Sequence, residues 1–250
     1  MTPAVDEAGI IGLGRCGQLA AQLLRDHYRL TVADVRDRSA EAASLGVAWD
    51  TLESVAAKPR ILLAVPIRAI PNVLNQITPH LAGDALIVDV CSVKSRPMEW
   101  MAEHLPAGVR FVGTHPLFGP DSVSEQGVEG QRIVVCASRG QEAAAEQVCH
   151  VASELGLEPI LSTPDEHDRQ MARSQAVVFL LARAMRMAGL EPAQLGTPSE
   201  RQVYSALDLI AGDTDELYED ILRHNPHVPK PVRALCAAML SEVDRCAGDE

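Results

Sequence analysis

Over roughly the first 160 positions, apolar residues fall in short runs separated by stretches with helical spacing. That alternation predicts strands joined by crossover helices. Gly9-Ile10-Ile11-Gly12 ends one predicted strand, Gln18 to Asp26 makes the helix after it, and Leu30-Thr31-Val32-Ala33-Asp34 is the second strand. Arg60 to Pro66 and Ala85 to Val90 enclose continuous apolar runs, the pattern of parallel strands covered on both faces. Further strands are predicted at Arg110-Phe111-Val112 and Ile133 to Cys136, with proline-punctuated helices over Pro71–Pro79 and Pro97–Leu105.

The texture changes after Pro159-Ile160-Leu161-Ser162-Thr163-Pro164. One long helical pattern, rich in alanine, methionine and leucine, runs from Asp165 to about Gly189, and no convincing strand follows. Two or three more helices fit between Ser199 and Arg245, interrupted at Asn225-Pro226-His227-Val228-Pro229-Lys230-Pro231. The expected architecture is α/β: a doubly wound, mostly parallel sheet over residues 1–163, then a smaller all-helical domain over 164–250. A helical segment this short and this apolar struggles to bury its side chains alone, which predicts a homodimer through the helical domain.

Composition narrows the class. The chain is 47% hydrophobic and 22% charged, ordinary for a globular protein, and no apolar run reaches the roughly 18–20 residues that span a bilayer. Met1 to Glu7 lacks a basic segment followed by an apolar stretch, so a cytoplasmic protein without a secretory leader is expected. A net charge of −12 argues against nucleic acid or anionic membrane as the main partner, while leaving room for an anionic small molecule held by a few local cations. Six cysteines form no Cys-x-x-Cys pair and no Cys/His ligand spacing, so neither a disulfide nor a metal is expected.

Gly12-Leu13-Gly14-Arg15-Cys16-Gly17 matches the dinucleotide fingerprint G-x-G-x-x-G between a strand and a helix. The first glycine permits the turn, the second lets a pyrophosphate approach the backbone, and the third lets helix and strand pack closely. The pyrophosphate then lies on the helix N-terminus, where free N–H groups and the dipole favour an anion. Asp34, 22 residues beyond Gly12 at the end of the second strand, can accept hydrogen bonds from both adenosine ribose hydroxyls and repels a 2′-phosphate. The expected cofactor is therefore NAD in preference to NADP, although Arg36 and Arg38 lie close by. Val65 and Pro66 follow a strand where such Rossmann-type folds line the cofactor cleft.

The segment Gly113-Thr114-His115-Pro116-Leu117-Phe118-Gly119-Pro120 sets a histidine between glycine and proline turns, about a hundred residues past the fingerprint. An imidazole titrates near neutrality and can serve as a base beside a hydride acceptor. The segment closely resembles the signature of the prephenate and arogenate dehydrogenases. Three other segments resemble that family in the same order, over roughly residues 9–222: Asp89-Val90-Cys91-Ser92-Val93-Lys94, Asp165-Glu166-His167-Asp168, and Thr197-Pro198-Ser199-Glu200-Arg201. In the first of these, Cys91 stands where the family usually carries a smaller residue.

The resemblance implies oxidative decarboxylation of an anionic cyclohexadienyl substrate. His115 would take the ring hydroxyl proton as hydride leaves for the nicotinamide, carbon dioxide would depart from the far side of the ring, and aromatisation would make the reaction irreversible. Ser92 would hydrogen-bond the substrate oxygen or the base, and Lys94 would hold a carboxylate as a point charge. His167 would help orient substrate or His115, and Arg201 would grip a substrate carboxylate with two parallel hydrogen bonds. No residue discriminates prephenate from arogenate or from the 4-amino-4-deoxyprephenate of specialised relatives. Two alternatives stay open: another dehydrogenase of the same architecture, such as a pyrroline carboxylate reductase, and a non-catalytic NAD-binding sensor.

Overall fold

The computed structural model describes residues 6–208, 210 and 212–247, so the opening Met1 to Val5, read above for a leader, lies outside the described residues. The chain divides into two compact units, the first running to Pro164 and the second from Asp165.

The first unit is built on one sheet of eight strands: β1 (Glu7–Ile11), β2 (Arg29–Ala33), β3 (Ala48–Trp49), β4 (Arg60–Leu63), β5 (Leu86–Asp89), β6 (Arg110–Pro116), β7 (Arg132–Cys136) and β8 (Glu158–Ser162). Their order across the sheet is 3-2-1-4-5-6-7-8. Among the described residues, only β6 and β7 pair antiparallel; every other neighbouring pair is parallel. Connecting helices are α1 (Arg15–Leu24), α2 (Ser39–Leu45), α3 (Leu52–Ala56), α4 (Ile70–Ile77), α5 (Ser95–His104), α6 (Pro120–Gln126) and α7 (Glu142–Glu154). Strand order reverses between β1 and β4, which makes the crevice beyond their carboxyl ends the place where such sheets take ligands.

The continuous apolar runs have the predicted meaning. Ile10, Val32, Leu63, Ile87, Val112 and Val135 are fully buried along the central strands. Each contributes about 1.5–3 kcal/mol by leaving water. Ala144 and Ala145 of α7 fit against Leu86, Val112 and Val135, where a larger side chain would hold helix and sheet apart.

The second unit contains α8 (Pro164–Arg173), α9 (Gln175–Met187), α10 (Pro198–Asp208), α11 (Asp215–His224) and α12 (Pro229–Ala247). The single long helix expected from Asp165 is two helices, broken at Ser174, whose φ of −117° and ψ of −84° leave the helical region. Its hydroxyl donates to the Gln170 carbonyl at 2.9 Å, the kind of local side-chain bond that competes with the helical ladder.

Three further departures concern strands. β3 has only two residues, too short to leave a pattern. β8 is an edge strand with Ile160 and Leu161 exposed, so Pro159 is tolerated in it. β6 runs on through His115 to Pro116, because β7 pairs with Gly113 through Pro116 after β5 has ended. His115 therefore sits on a strand rather than in a turn. Among the described residues, no helix is long and apolar enough to cross a membrane.

Candidate active site

The glycine loop follows β1 at the switch point. Gly12 has φ +97°, and a Cβ there would lie 2.3 Å from the Ala64 carbonyl oxygen. A Cβ on Gly17 would lie 2.0 Å from the Gly12 carbonyl oxygen, so only glycine lets α1 approach the loop this closely. Gly14, at the N-cap of α1, faces open space: a Cβ there would meet no atom within 4 Å, and the backbone is left clear for a ligand. Leu13 is fully buried beneath the loop, while Arg15 and Cys16 are exposed on its outer side.

Asp34 is tied to this loop: its Oδ2 accepts the Leu13 N–H at 2.7 Å and its Oδ1 the Arg36 N–H at 2.9 Å. Arg38 reaches Glu41 at 3.1 Å and stands 3.9 Å from Asp34. Val65, after β4, backs Gly12, and Pro66 beside it is exposed. The open Gly14 backbone at the N-cap of α1 and the carboxylate at the end of β2 fit a dinucleotide.

Most of the histidine segment is fixed by packing and backbone bonds. A Cβ on Gly113 would lie 2.8 Å from Met98 Sδ and 3.2 Å from Asp89 Oδ2, so a larger residue would displace the Met98 side chain where β6 passes the end of β5. Thr114 Oγ1 donates to the Asp89 carbonyl at 2.7 Å. His115 is buried, 4% exposed, at the carboxyl end of β6. Leu117 N–H donates to the Arg132 carbonyl at 2.9 Å, and Phe118 packs against the cluster of Ile133, Ala152 and Leu157. Gly119 and Pro120 then open α6 as N-cap and first residue, where the missing proline N–H costs nothing.

Ser92 is half-buried just past β5. Lys94, expected from the resemblance to hold a substrate carboxylate, is enclosed by the protein. It is 0% exposed, its ammonium pairs with the equally buried Asp89, and it donates to the Thr114 carbonyl at 2.6 Å. A charge enclosed in this way is matched within the protein rather than offered to solvent. Asp89 also accepts the Cys91 N–H at 2.9 Å, so Cys91 is buried with its main chain fastened.

In the second unit, His167 and Asp168 on α8 are both buried, with Nδ1 and Oδ1 2.8 Å apart. Asn225, in the break before α12, donates to the Asp168 carbonyl at 2.8 Å and accepts the His227 N–H at 3.0 Å. The proline-rich interruption is thus anchored to the turn that carries His167. Arg201 is exposed near the start of α10, donating to the Gly196 carbonyl at 2.8 Å, while Thr197 Oγ1 accepts the Glu200 N–H at 3.2 Å as a cap.

Sequence reasoning assigned no role to Asp89, Thr114 or Asn225. Asp89 and Thr114 stand in the quoted motifs, but only strand register brings them together. A second unassigned contact joins Arg15 and Asp121: Arg15 Nη2 lies 2.6 Å from both carboxylate oxygens and links the glycine loop to α6. Both partners are substantially exposed, so the pair contributes about 1 kcal/mol at most. Among the described residues, no group of three or more His, Cys, Asp or Glu side chains is placed to hold a metal.

Residues 19–159 match the family described as the prephenate dehydrogenase nucleotide-binding domain. The chain is 31% identical to arogenate dehydrogenase 1, chloroplastic, of Arabidopsis thaliana over 86% of its length. It is 26% identical over 80% of its length to a probable arogenate/prephenate dehydrogenase of Methanocaldococcus jannaschii. It spans only 36% and 46% of those two proteins. Among solved structures, prephenate dehydrogenase from A. aeolicus in complex with hydroxyphenyl propionate and NAD+ has the same fold, with a TM-score of 0.80 at 20% identity. That likeness covers 100% of this chain and 94% of the other.

Proposed function

The chain belongs to the prephenate dehydrogenase family, and from that premise we propose that it catalyses the NAD-dependent oxidative decarboxylation of a prephenate-type cyclohexadienyl substrate, either prephenate or arogenate. The observation that carries this is the convergence of chemistry on one edge of the sheet. The glycine loop follows β1, Asp34 follows β2, Ser92 follows β5 and His115 closes β6, all at carboxyl strand ends.

Gly12, Leu13, Gly14, Arg15, Cys16 and Gly17 hold the pyrophosphate, with Val65 and Pro66 beside it. Asp34 takes the ribose hydroxyls, which favours NAD over NADP. When bound, the dinucleotide supplies the acceptor for the hydride leaving the ring carbon. His115 takes the ring hydroxyl proton onto its imidazole and holds it as the ring becomes aromatic. Ser92 hydrogen-bonds the same oxygen or the base. Arg201 holds a substrate carboxylate through two parallel hydrogen bonds from its planar guanidinium. His167, its ring fixed by Asp168, orients the substrate.

The setting this implies is a cytoplasmic enzyme acting as a homodimer. The dimer is supported by exposed apolar side chains in the helical unit: Met239, Leu240 and Val243 on α12, Val203 on α10, and Met187 at the end of α9. A second subunit would cover such side chains.

The test offers NAD with prephenate, arogenate and 4-amino-4-deoxyprephenate in parallel and identifies the products. NADH with 4-hydroxyphenylpyruvate, or NADH with tyrosine, is the expected result and names the substrate. Turnover of 4-amino-4-deoxyprephenate alone would replace the substrate assignment. Silence on all three with NAD binding intact would overturn the assignment in favour of another dehydrogenase of the same architecture or a sensor.

A further inference from the structure

We infer that Asp89 and Lys94 form a buried strut whose task is to aim His115, and that Lys94 is a positioning residue rather than a ligand for the substrate. This rests on the proposed role of His115 as the base.

The strut stands where the sheet stops holding its own chain. The β5–β6 ladder ends at the pair Asp89–Gly113, and the next three residues of β6 pair only with β7. His115 is the second of those three. The Thr114 carbonyl belongs to the peptide that enters His115, so fixing its direction fixes the φ axis from which the imidazole projects. Lys94 donates to that oxygen at 2.6 Å from the side β5 has vacated. The Thr114 hydroxyl bonds the Asp89 carbonyl at 2.7 Å, and the Asp89 carboxylate receives both the Lys94 ammonium and the Cys91 N–H. Two strand ends and the turn before α5 are thereby cross-braced directly behind the base.

Its geometry separates this strut from an ordinary stabilising ion pair. A buried pair gains little over apolar residues of the same volume, because desolvation offsets the attraction. Its geometric product, a fixed Thr114 peptide, is something an apolar pair cannot supply.

The decisive variants are Lys94→Met and the double change Lys94→Met/Asp89→Leu. The double variant leaves no unpaired buried charge, so it keeps the test open if the single change fails to fold. In the double variant kcat should fall about 30- to 100-fold, the usual cost of misplacing a reacting group by about 1 Å, with KM for substrate and for NAD within about twofold of wild type. A rise in substrate KM of tenfold or more at near-normal kcat would overturn the inference and return Lys94 to the substrate. Near-wild-type kcat and KM in a folded double variant would overturn it as well.

A second readout needs no turnover. The His115 ring resonances, assigned by their absence in His115→Asn, should move in the folded double variant while those of exposed His150 stay put. Unmoved His115 resonances would contradict the strut. Absence of turnover in the wild-type protein would count against the proposed function alone.

Discussion

The sheet unit and the helical unit hold their candidate site residues by different means. In the first, His115 lies within a hydrogen-bonded strand and is braced from behind by a buried ion pair. The glycine loop leaves no room for a side chain at Gly12 or Gly17. In the second, His167 is steadied by its sequence neighbour Asp168, and Arg201 stands exposed at a helix start with one bond to a nearby carbonyl. Residues held by ladders and close backbone contact have no slack. Long side chains on helix ends have several rotamers and can follow a ligand, at an entropy cost of about 2 kcal/mol for an ordered arginine.

The contrast is broken most severely at the glycine loop. Gly17→Ala puts a methyl group 2.0 Å from the Gly12 carbonyl, with no flexible side chain to yield. Strain at the upper end of the 1–3 kcal/mol typical of overpacking corresponds to about 100-fold weaker NAD binding. Calorimetric titration with NAD checks this, and affinity within about threefold of wild type would show that the loop has slack after all. The helical unit should respond more gently. Arg201→Ala should raise substrate KM by about 30-fold, within the 1.5–3 kcal/mol of a hydrogen-bonded charge, while kcat and NAD affinity change by less than about threefold. Steady-state kinetics decides it, and a fall in kcat at constant KM would place Arg201 among the residues that act on the reacting centre.

Much of this division was legible in the residues. Continuous apolar runs around Ile61–Val65 and Leu86–Val90 became the inner strands, because a strand buried on both faces admits few polar residues. The fingerprint glycines and Asp34 were legible because their spacing encodes backbone geometry. The setting of Lys94 was not legible: the resemblance assigned it a substrate carboxylate, and nothing local reveals that strand register sets Asp89 and Thr114 beside it. The extension of β6 was hidden for the same reason, since its partner β7 lies about twenty residues away and runs antiparallel. The break at Ser174 was masked by the helix-forming residues around it. Asn225 gave no signal beyond the neighbouring proline, because its partner, the Asp168 carbonyl, lies 57 residues back.

The most direct test of the account compares wild type with His115→Asn, using the substrate that the wild-type enzyme turns over. Asparagine keeps a polar side chain at the end of β6 but cannot take a proton near neutral pH. In His115→Asn kcat should fall about 10³-fold, within the 10²–10⁴ that a positioned base contributes, with NAD affinity unchanged. Turnover within tenfold of wild type would show that His115 is not the base and would contradict the account at its centre.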